Sequence, residues 1–195
     1  MSQPLVLASA SPRRRELLQQ IGLEFQVIPS NAAEEELSGE TPEELVIRLS
    51  LDKAGEVARR KGVDGRWFIG SDTIVLCDGN ILGKPRSDAH ATEMLQMLSG
   101  REHRVLSGYA VIDRQTGKQR AEAVSTKVWF RQLTETEIAR YIATGEPMDK
   151  AGAYAIQGFG VCFVARIEGS YTNVVGLPLC KLTGAMKELG VPLII

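Results

Sequence analysis

Short apolar runs alternating with capped, amphipathic helices place this chain in the α/β class. Three observations carry that reading. Pro4 to Ala8 is a short apolar strand that passes through Ser9-Ala10-Ser11 into a helix with Pro12 at its first position, where a missing backbone N–H costs nothing. Thr41-Pro42-Glu43-Glu44, and Thr134 with Glu137, each form a capping box in which hydroxyl and carboxylate satisfy each other's orphan backbone donors. Trp67 to Cys77 is a long buried-strand signature.

The elements follow in order. The first helix ends near Gly22, Phe25 to Ile28 alternates as a strand, and Pro29 to Gly39 is a polar, acid-rich loop. The helix opened at Thr41 is expected to run to about Lys61, with Leu45, Val46, Leu49 and Val57 as its apolar stripe. Successive residues turn by 100°, which puts Lys53 inside that stripe, one turn from Leu49 and one from Val57. Either its stem carries the ammonium out to solvent, or the lysine is aimed inward at a charged site.

In Trp67 to Cys77 the apolar run is broken by Gly70-Ser71-Asp72-Thr73. Burying an unpaired carboxylate is costly, so Asp72 calls for a partner, a metal or a catalytic task. Gly70 permits a bulge or kink that would swing Asp72 to a cleft. Asp78-Gly79 turns a hairpin, and the chain returns through Ile81 to Pro85. Gly79 to Lys84 falls one residue short of a Walker loop and has Pro85 where Ser or Thr is required, so Lys84 stands on its own.

Asp88 to Leu98 is a helix with Ala91, Met94, Leu95 and Leu98 on one face and Gly100 as its stop. Strands are predicted at Arg104 to Ile112 and Arg120 to Phe130, around a turn at Arg114 to Gly117, and the second capping box opens a helix that ends at Gly145. Asp149 to Gly160 is rich in small residues and glycine, which lets backbone approach a ligand closely. Val161 to Ile167 reads as a strand, and Leu177-Pro178 starts a last helix to about Leu189. His90 and His103 are isolated, and are read as structural or exposed.

Composition narrows the function. With 195 residues, 44% of them hydrophobic and 24% charged, one domain with two lobes is expected. A formal net charge of −1 supplies no global field for a nucleic-acid polymer, so the partner is expected to be a small polyanion. Cys77, Cys162 and Cys180 are odd in number, widely spaced and set in apolar runs, which fits reduced, buried thiols. No apolar stretch approaches the ~20 residues that span a bilayer, and no leader pattern opens the chain. The expectation is a cytoplasmic protein without a membrane partner.

The chemistry concentrates in Arg13-Arg14-Arg15. Cations in a first helical turn oppose the partial positive charge of the exposed N–H groups, so an anion is expected there. Strand, hydroxyl-bearing loop and guanidinium-studded helix start together outline a phosphate-binding assembly, the alternative being a solvated basic helix end. No nucleophile elbow, dinucleotide fingerprint or helical zinc-binding histidine pair is present. What remains is arginine and lysine for phosphate oxygens, with Glu34, Glu35 and Asp72 to hold a divalent ion or deprotonate water. Metal-assisted phosphoanhydride hydrolysis needs that combination.

Ser9-Ala10-Ser11-Pro12-Arg13-Arg14, Gly70-Ser71-Asp72-Thr73, Gly83-Lys84-Pro85, Asp149-Lys150-Ala151-Gly152-Ala153-Tyr154 and Ile156-Gln157-Gly158 resemble the Maf family of nucleoside triphosphate pyrophosphatases. Gly169-Ser170-Tyr171 and Val175 to Leu179 match as well, so the resemblance covers nearly the whole chain as one domain, 1–195. It implies an elongated mixed β-sheet with flanking helices, two lobes around a deep cleft, and kinship with the inosine triphosphatases. It also implies cleavage of noncanonical or surplus nucleotides to the monophosphate and pyrophosphate with a divalent cation, Mg²⁺ or Mn²⁺.

By the same resemblance Asp72 is the proton acceptor for water, and Glu34, Lys53 and Lys84 are polar groups of the catalytic cleft, Glu34 and Asp72 being the metal ligands. Ser9, Ser11 and Arg14 match the phosphate-binding loop. Arg13, Thr73 and Gln157 resemble the branch acting on dTTP and UTP. The acidic loop departs from the family pattern at Asn31-Ala32-Ala33, which leaves Glu34 and Glu35 both eligible to face the metal. The oligomeric state stays open, a homodimer being one expectation. A nucleotide-sensing regulator and an RNA-binding module are the rival classes; the retained acid and lysine groups speak against the first, and the charge and 6% aromatic content against the second.

Overall fold

The structure, a computed structural model, describes residues 4–194. β1 (Leu5–Leu7) is buried at all three positions, as an all-aliphatic strand must be between two parallel partners. Those partners are β2 (Phe25–Val27) and β3 (Trp67–Cys77), with Leu5 in register with Phe25 and with Trp67. β4 (Asn80–Leu82) pairs back on β3 as the expected antiparallel hairpin, its turn allowed by φ of 50° at Asp78 and 80° at Gly79. β5 (Glu102–Asp113), β6 (Gln119–Phe130) and β7 (Val164–Glu168) complete a seven-stranded mixed sheet of order β2-β1-β3-β5-β6-β7, with β4 on β3. The flanking helices are α1 (Pro12–Gln20), α2 (Pro42–Arg59), α3 (Asp88–Leu98), α4 (Glu135–Ala143), α5 (Tyr171–Val175) and α6 (Leu179–Glu188). The α/β expectation holds. Among the described residues no helix is long and apolar enough to cross a membrane.

The chain divides into two compact units. The first comprises the residues up to Asp72, Ser107–Val124 and the stretch from Gly176 onward; the second comprises Thr73–Leu106 and Ser125–Val175.

In the first unit, α2 starts at the capping box read from sequence: Thr41 Oγ1 accepts the Glu44 N–H at 3.2 Å, and the Glu44 carboxylate accepts the Thr41 N–H at 2.8 Å. Its inner face joins Val6, Ala8, Phe68 and Ala110 through Ala54 and Val57. α2 lies so close to the sheet that two strand positions tolerate no side chain. A Cβ on Gly70 would overlap the Ser50 carbonyl oxygen and sit 2.8 Å from the Ala54 nitrogen, and one on Gly108 would overlap the Val46 carbonyl and sit 2.7 Å from Ser50 Oγ. Gly70 is therefore a clearance for α2, and β3 runs on through it.

In the second unit, α3 contributes Ala91, Met94, Leu95 and Leu98 to a core shared with Phe130, Tyr141, Tyr154 and Phe163. His103 is buried in that core, its Nε2 2.8 Å from the Tyr154 hydroxyl and its ring edge-on to Phe130 at 4.9 Å. Burial penalises the imidazolium and draws its pKa down to about 4.

Two expectations are corrected. Val161 to Phe163 is not strand but the end of a 3₁₀ turn, Gly158–Phe163, and β7 begins only at Val164. Gly158, with φ of 69°, starts a turn that a β-prone sequence alone does not announce. Of the three free cysteines only Cys77 is buried; Cys162 and Cys180 are exposed, so the apolar runs around them did not signify burial.

Candidate active site

Lys53 lies on the buried face of α2, and its ammonium is turned inward. Lys53 Nζ donates to Asp72 Oδ1 at 2.6 Å and pairs with Glu34 Oε1 at 2.7 Å. Lys53 and Asp72 are 7% and 8% exposed, whereas the Glu34 side chain is 54% exposed, so the cluster has one open side. The alternative of a lysine stem leading to solvent is excluded. Both carboxylates offset the hydration that Lys53 gives up on burial. α2 holds Lys53 there, and the close seating of α2 on Gly70 and Gly108 fixes the depth to which it reaches.

The loop before α2 delivers Glu34. Its start is tied to α2 by Glu56, whose carboxylate accepts the Ser30 hydroxyl at 2.8 Å and the Asn31 N–H at 2.9 Å. Its far part is tied by Arg48, which donates to Glu40 at 2.6 and 2.8 Å and to the Glu35 carbonyl at 2.8 Å. Glu34 thus meets Lys53, while Glu35 lends its backbone to Arg48.

The arginine helix closes on the same unit. Ser11 caps α1, its hydroxyl oxygen accepting the Arg14 N–H at 3.5 Å, and no acid occupies the first turn. Arg14 folds back from the helix: Nε donates to the Gly176 carbonyl at 2.8 Å, and Nη1 donates to the Ser71 carbonyl at 2.9 Å and to Ser9 Oγ at 3.2 Å. Ser71 reinforces this junction, its hydroxyl lying 2.8 Å from the Gly108 carbonyl and 3.1 Å from that of Gly176. Because Ser71 directly precedes Asp72, the guanidinium is held beside the carboxylate. Burial lowers the Arg14 pKa below the ordinary arginine value, and Asp72 counters it from nearby.

The first unit thus brings together Ser9, Ser11, Arg14, Glu34, Lys53 and Asp72, with half-buried Arg13 on the first turn of α1. The other three expected residues belong to the second unit. Thr73 follows Asp72 on β3 and is half-buried, Lys84 is exposed on the loop after β4, and Gln157 is half-buried at the entry to the 3₁₀ turn Gly158–Phe163. Sequence reasoning missed the anchors of Arg14, the Gly176 carbonyl and Ser71. The only signal for them was a small residue inside a buried strand.

Chemically the cluster holds a fixed positive charge, a helix N-terminus with hydroxyls for phosphate oxygens, and a carboxylate held by an ammonium. Among the described residues no group of three or more His, Cys, Asp or Glu gathers to cage a metal ion. The carboxylates at hand are Glu34 and Asp72, both on the Lys53 ammonium; a hard divalent ion such as Mg²⁺ takes one or two carboxylates from protein and its other ligands from substrate phosphates and water.

The sequence profile described as Maf-like protein matches residues 4–189. A dTTP/UTP pyrophosphatase of Syntrophotalea carbinolica is 62% identical over 186 residues, covering 95% of this chain and 84% of the relative. Proteins of the same name from Geobacter metallireducens and Syntrophus aciditrophicus are 54% and 45% identical, covering 95% and 97% of this chain and 96% and 92% of their own. A solved nucleoside-triphosphatase / dITP/XTP pyrophosphatase of Mycobacterium abscessus is 14% identical, covering 94% of this chain and 93% of its own, at a TM-score of 0.42.

Proposed function

The chain belongs to the Maf family, and from that premise we propose that it is a nucleoside triphosphate pyrophosphatase that hydrolyses dTTP and UTP to the monophosphate and pyrophosphate. Such an activity clears surplus or modified pyrimidine nucleotides. The observation that carries the reading is the ammonium of Lys53 between Asp72 and Glu34, beside an arginine locked onto backbone carbonyls.

In the proposed reaction Lys53 orients Asp72 through Oδ1, and Oδ2 accepts a proton from the attacking water. The water oxygen bonds to the α-phosphorus as the bond from that phosphorus to the bridging oxygen breaks, and pyrophosphate leaves with the electron pair. Arg14, immobilised before substrate arrives, stabilises the charge that grows on the phosphates, because a fixed cation needs no reorganisation at the moment of reaction. Ser9, Ser11 and the first turn of α1 receive phosphate oxygens. Lys84 neutralises the departing pyrophosphate. A divalent ion, Mg²⁺ or Mn²⁺, would be held by Glu34 and Asp72 with the triphosphate and would neutralise phosphate charge.

Gln157 reads the polar edge of the pyrimidine, and Arg13 and Thr73 set pocket size and polarity. The cytoplasm is the proposed location, since reducing conditions keep the exposed Cys162 and Cys180 as thiols. A homodimer is the proposed assembly, checked by light scattering. The test of the function is product identification over a panel of nucleoside triphosphates. Monophosphate and pyrophosphate in equal amounts from dTTP and UTP are expected; a diphosphate with inorganic phosphate would overturn the reading.

A further inference from the structure

In the second unit the carboxylate of Glu146 collects three donors. The Tyr141 hydroxyl donates to Oε1 at 2.8 Å, the Phe159 N–H to Oε2 at 3.0 Å, and the Gly160 N–H to Oε1 at 3.1 Å. The Tyr141 hydroxyl in turn accepts the Ala155 N–H at 3.2 Å. One backbone tie therefore lies before Gln157 and two lie after it, and all three end on a single carboxylate and phenol. The backbone wraps closely around this pair. Gly158 adopts φ of 69° and a Cβ there would lie 2.9 Å from the Glu146 Cδ, while a Cβ on Gly160 would lie 2.8 Å from the Tyr141 hydroxyl. Lys150 Nζ donates to the Glu146 carbonyl at 2.7 Å, which steadies the carboxylate's own backbone.

We propose that Glu146, acting with Tyr141, is a positioning residue for nucleobase selection: its carboxylate sets the 155–160 turn so that Gln157 meets the polar edge of the pyrimidine. The proposal rests on the base-reading role of Gln157 given above. Hydrogen bonds weaken steeply with angle, so a turn that relaxes by a fraction of an ångström loses the base contact while the triphosphate is still gripped elsewhere. Glu146 is distinct from the groups assigned to bond cleavage, so its loss falls on selectivity first.

Glu146→Gln keeps the size of the side chain but turns one acceptor oxygen into a donor facing other donors. The readout is the ratio of kcat/KM for dTTP to that for dGTP, measured in the parent, Glu146→Gln, Gln157→Ala and the double variant. Glu146→Gln is expected to lower the ratio about fivefold or more in the parent background, as a misplaced polar contact does, and by less than about twofold in the Gln157→Ala background. Tyr141→Phe, which keeps the ring in the core and removes only the hydroxyl, is expected to lower the ratio in the same direction and serves if Glu146→Gln does not fold. An equal loss for both nucleotides, or an undiminished effect of Glu146→Gln on top of Gln157→Ala, overturns the positioning role alone. A Gln157→Ala ratio equal to the parent's overturns the base-reading assignment, and the proposal with it.

Discussion

Lys53 Nζ lies 2.6 Å from Asp72 Oδ1, joining a helix face to the middle of a buried strand through two side chains that are 9% and 11% exposed. Two consequences follow for Asp72, one chemical and one structural.

Asp72→Asn removes the proposed proton acceptor but keeps its shape. Turnover of dTTP is expected to fall by about 10²–10⁴, the usual share of general-base catalysis, with nucleotide affinity changed only severalfold. Steady-state pyrophosphate release and titration calorimetry check the two halves. Near-parental turnover would remove Asp72 from the base role.

Lys53→Met leaves a buried carboxylate without its ammonium, a loss expected to cost roughly 3–5 kcal/mol of stability. Adding Asp72→Leu to Lys53→Met removes that carboxylate but also takes the counter-charge from buried Arg14, so only part of the stability is expected to return, without any activity. Urea denaturation of the two variants separates the pair's service to the fold from its service to catalysis.

Gly70→Ala pushes a methyl group against the Ser50 carbonyl and the Ala54 nitrogen of α2. Overpacking of this kind costs about 1–3 kcal/mol, and because α2 carries Lys53, kcat is expected to drop as well. Gly184→Ala is the control. Its Cβ meets nothing within 4 Å inside α6, so it is expected to raise stability by up to about 1 kcal/mol with activity unchanged. Thermal melts and dTTP turnover of both variants check the pair.

His103 carries a pH dependence. Its folded-state pKa of about 4 lies below the unfolded value near 6.5, so between these values the unfolded chain binds a proton that the folded one refuses. Stability contributed by the neutral ring is full above about pH 6.5 and drains as pH falls toward 4, by roughly 3 kcal/mol in total. His103→Gln is expected to flatten that part of the profile, as read by denaturation midpoints across the range. An unchanged slope would show that other groups set it.

Local chemistry was legible from the chain. Both capping boxes form as read, because each needs only a hydroxyl and a carboxylate three residues apart. Lys53 announced itself by breaking an apolar stripe, and Asp72 by breaking an apolar strand. The 3₁₀ turn Gly158–Phe163 was not legible, because its amides are satisfied by Glu146, a side chain more than ten residues away that no local propensity reflects. Exposure of Cys162 and Cys180 escaped for a related reason: apolar neighbours in sequence do not say which face of an element meets solvent.

By itself, the order of residues determined where the capped helices start, that Trp67 to Cys77 is buried, and that an acid and a lysine stand where water should be absent. Capping and periodicity act over a few residues, so they are written locally. Only the tertiary structure decided that Lys53 joins Asp72 to Glu34 rather than reaching solvent, and that Arg14 locks onto Ser71 and Gly176. The Lys53 pairing depends on how closely α2 and the strands approach, a distance set by two side-chain-free positions, Gly70 and Gly108, and the Arg14 pairing on carbonyls from segments far apart in sequence.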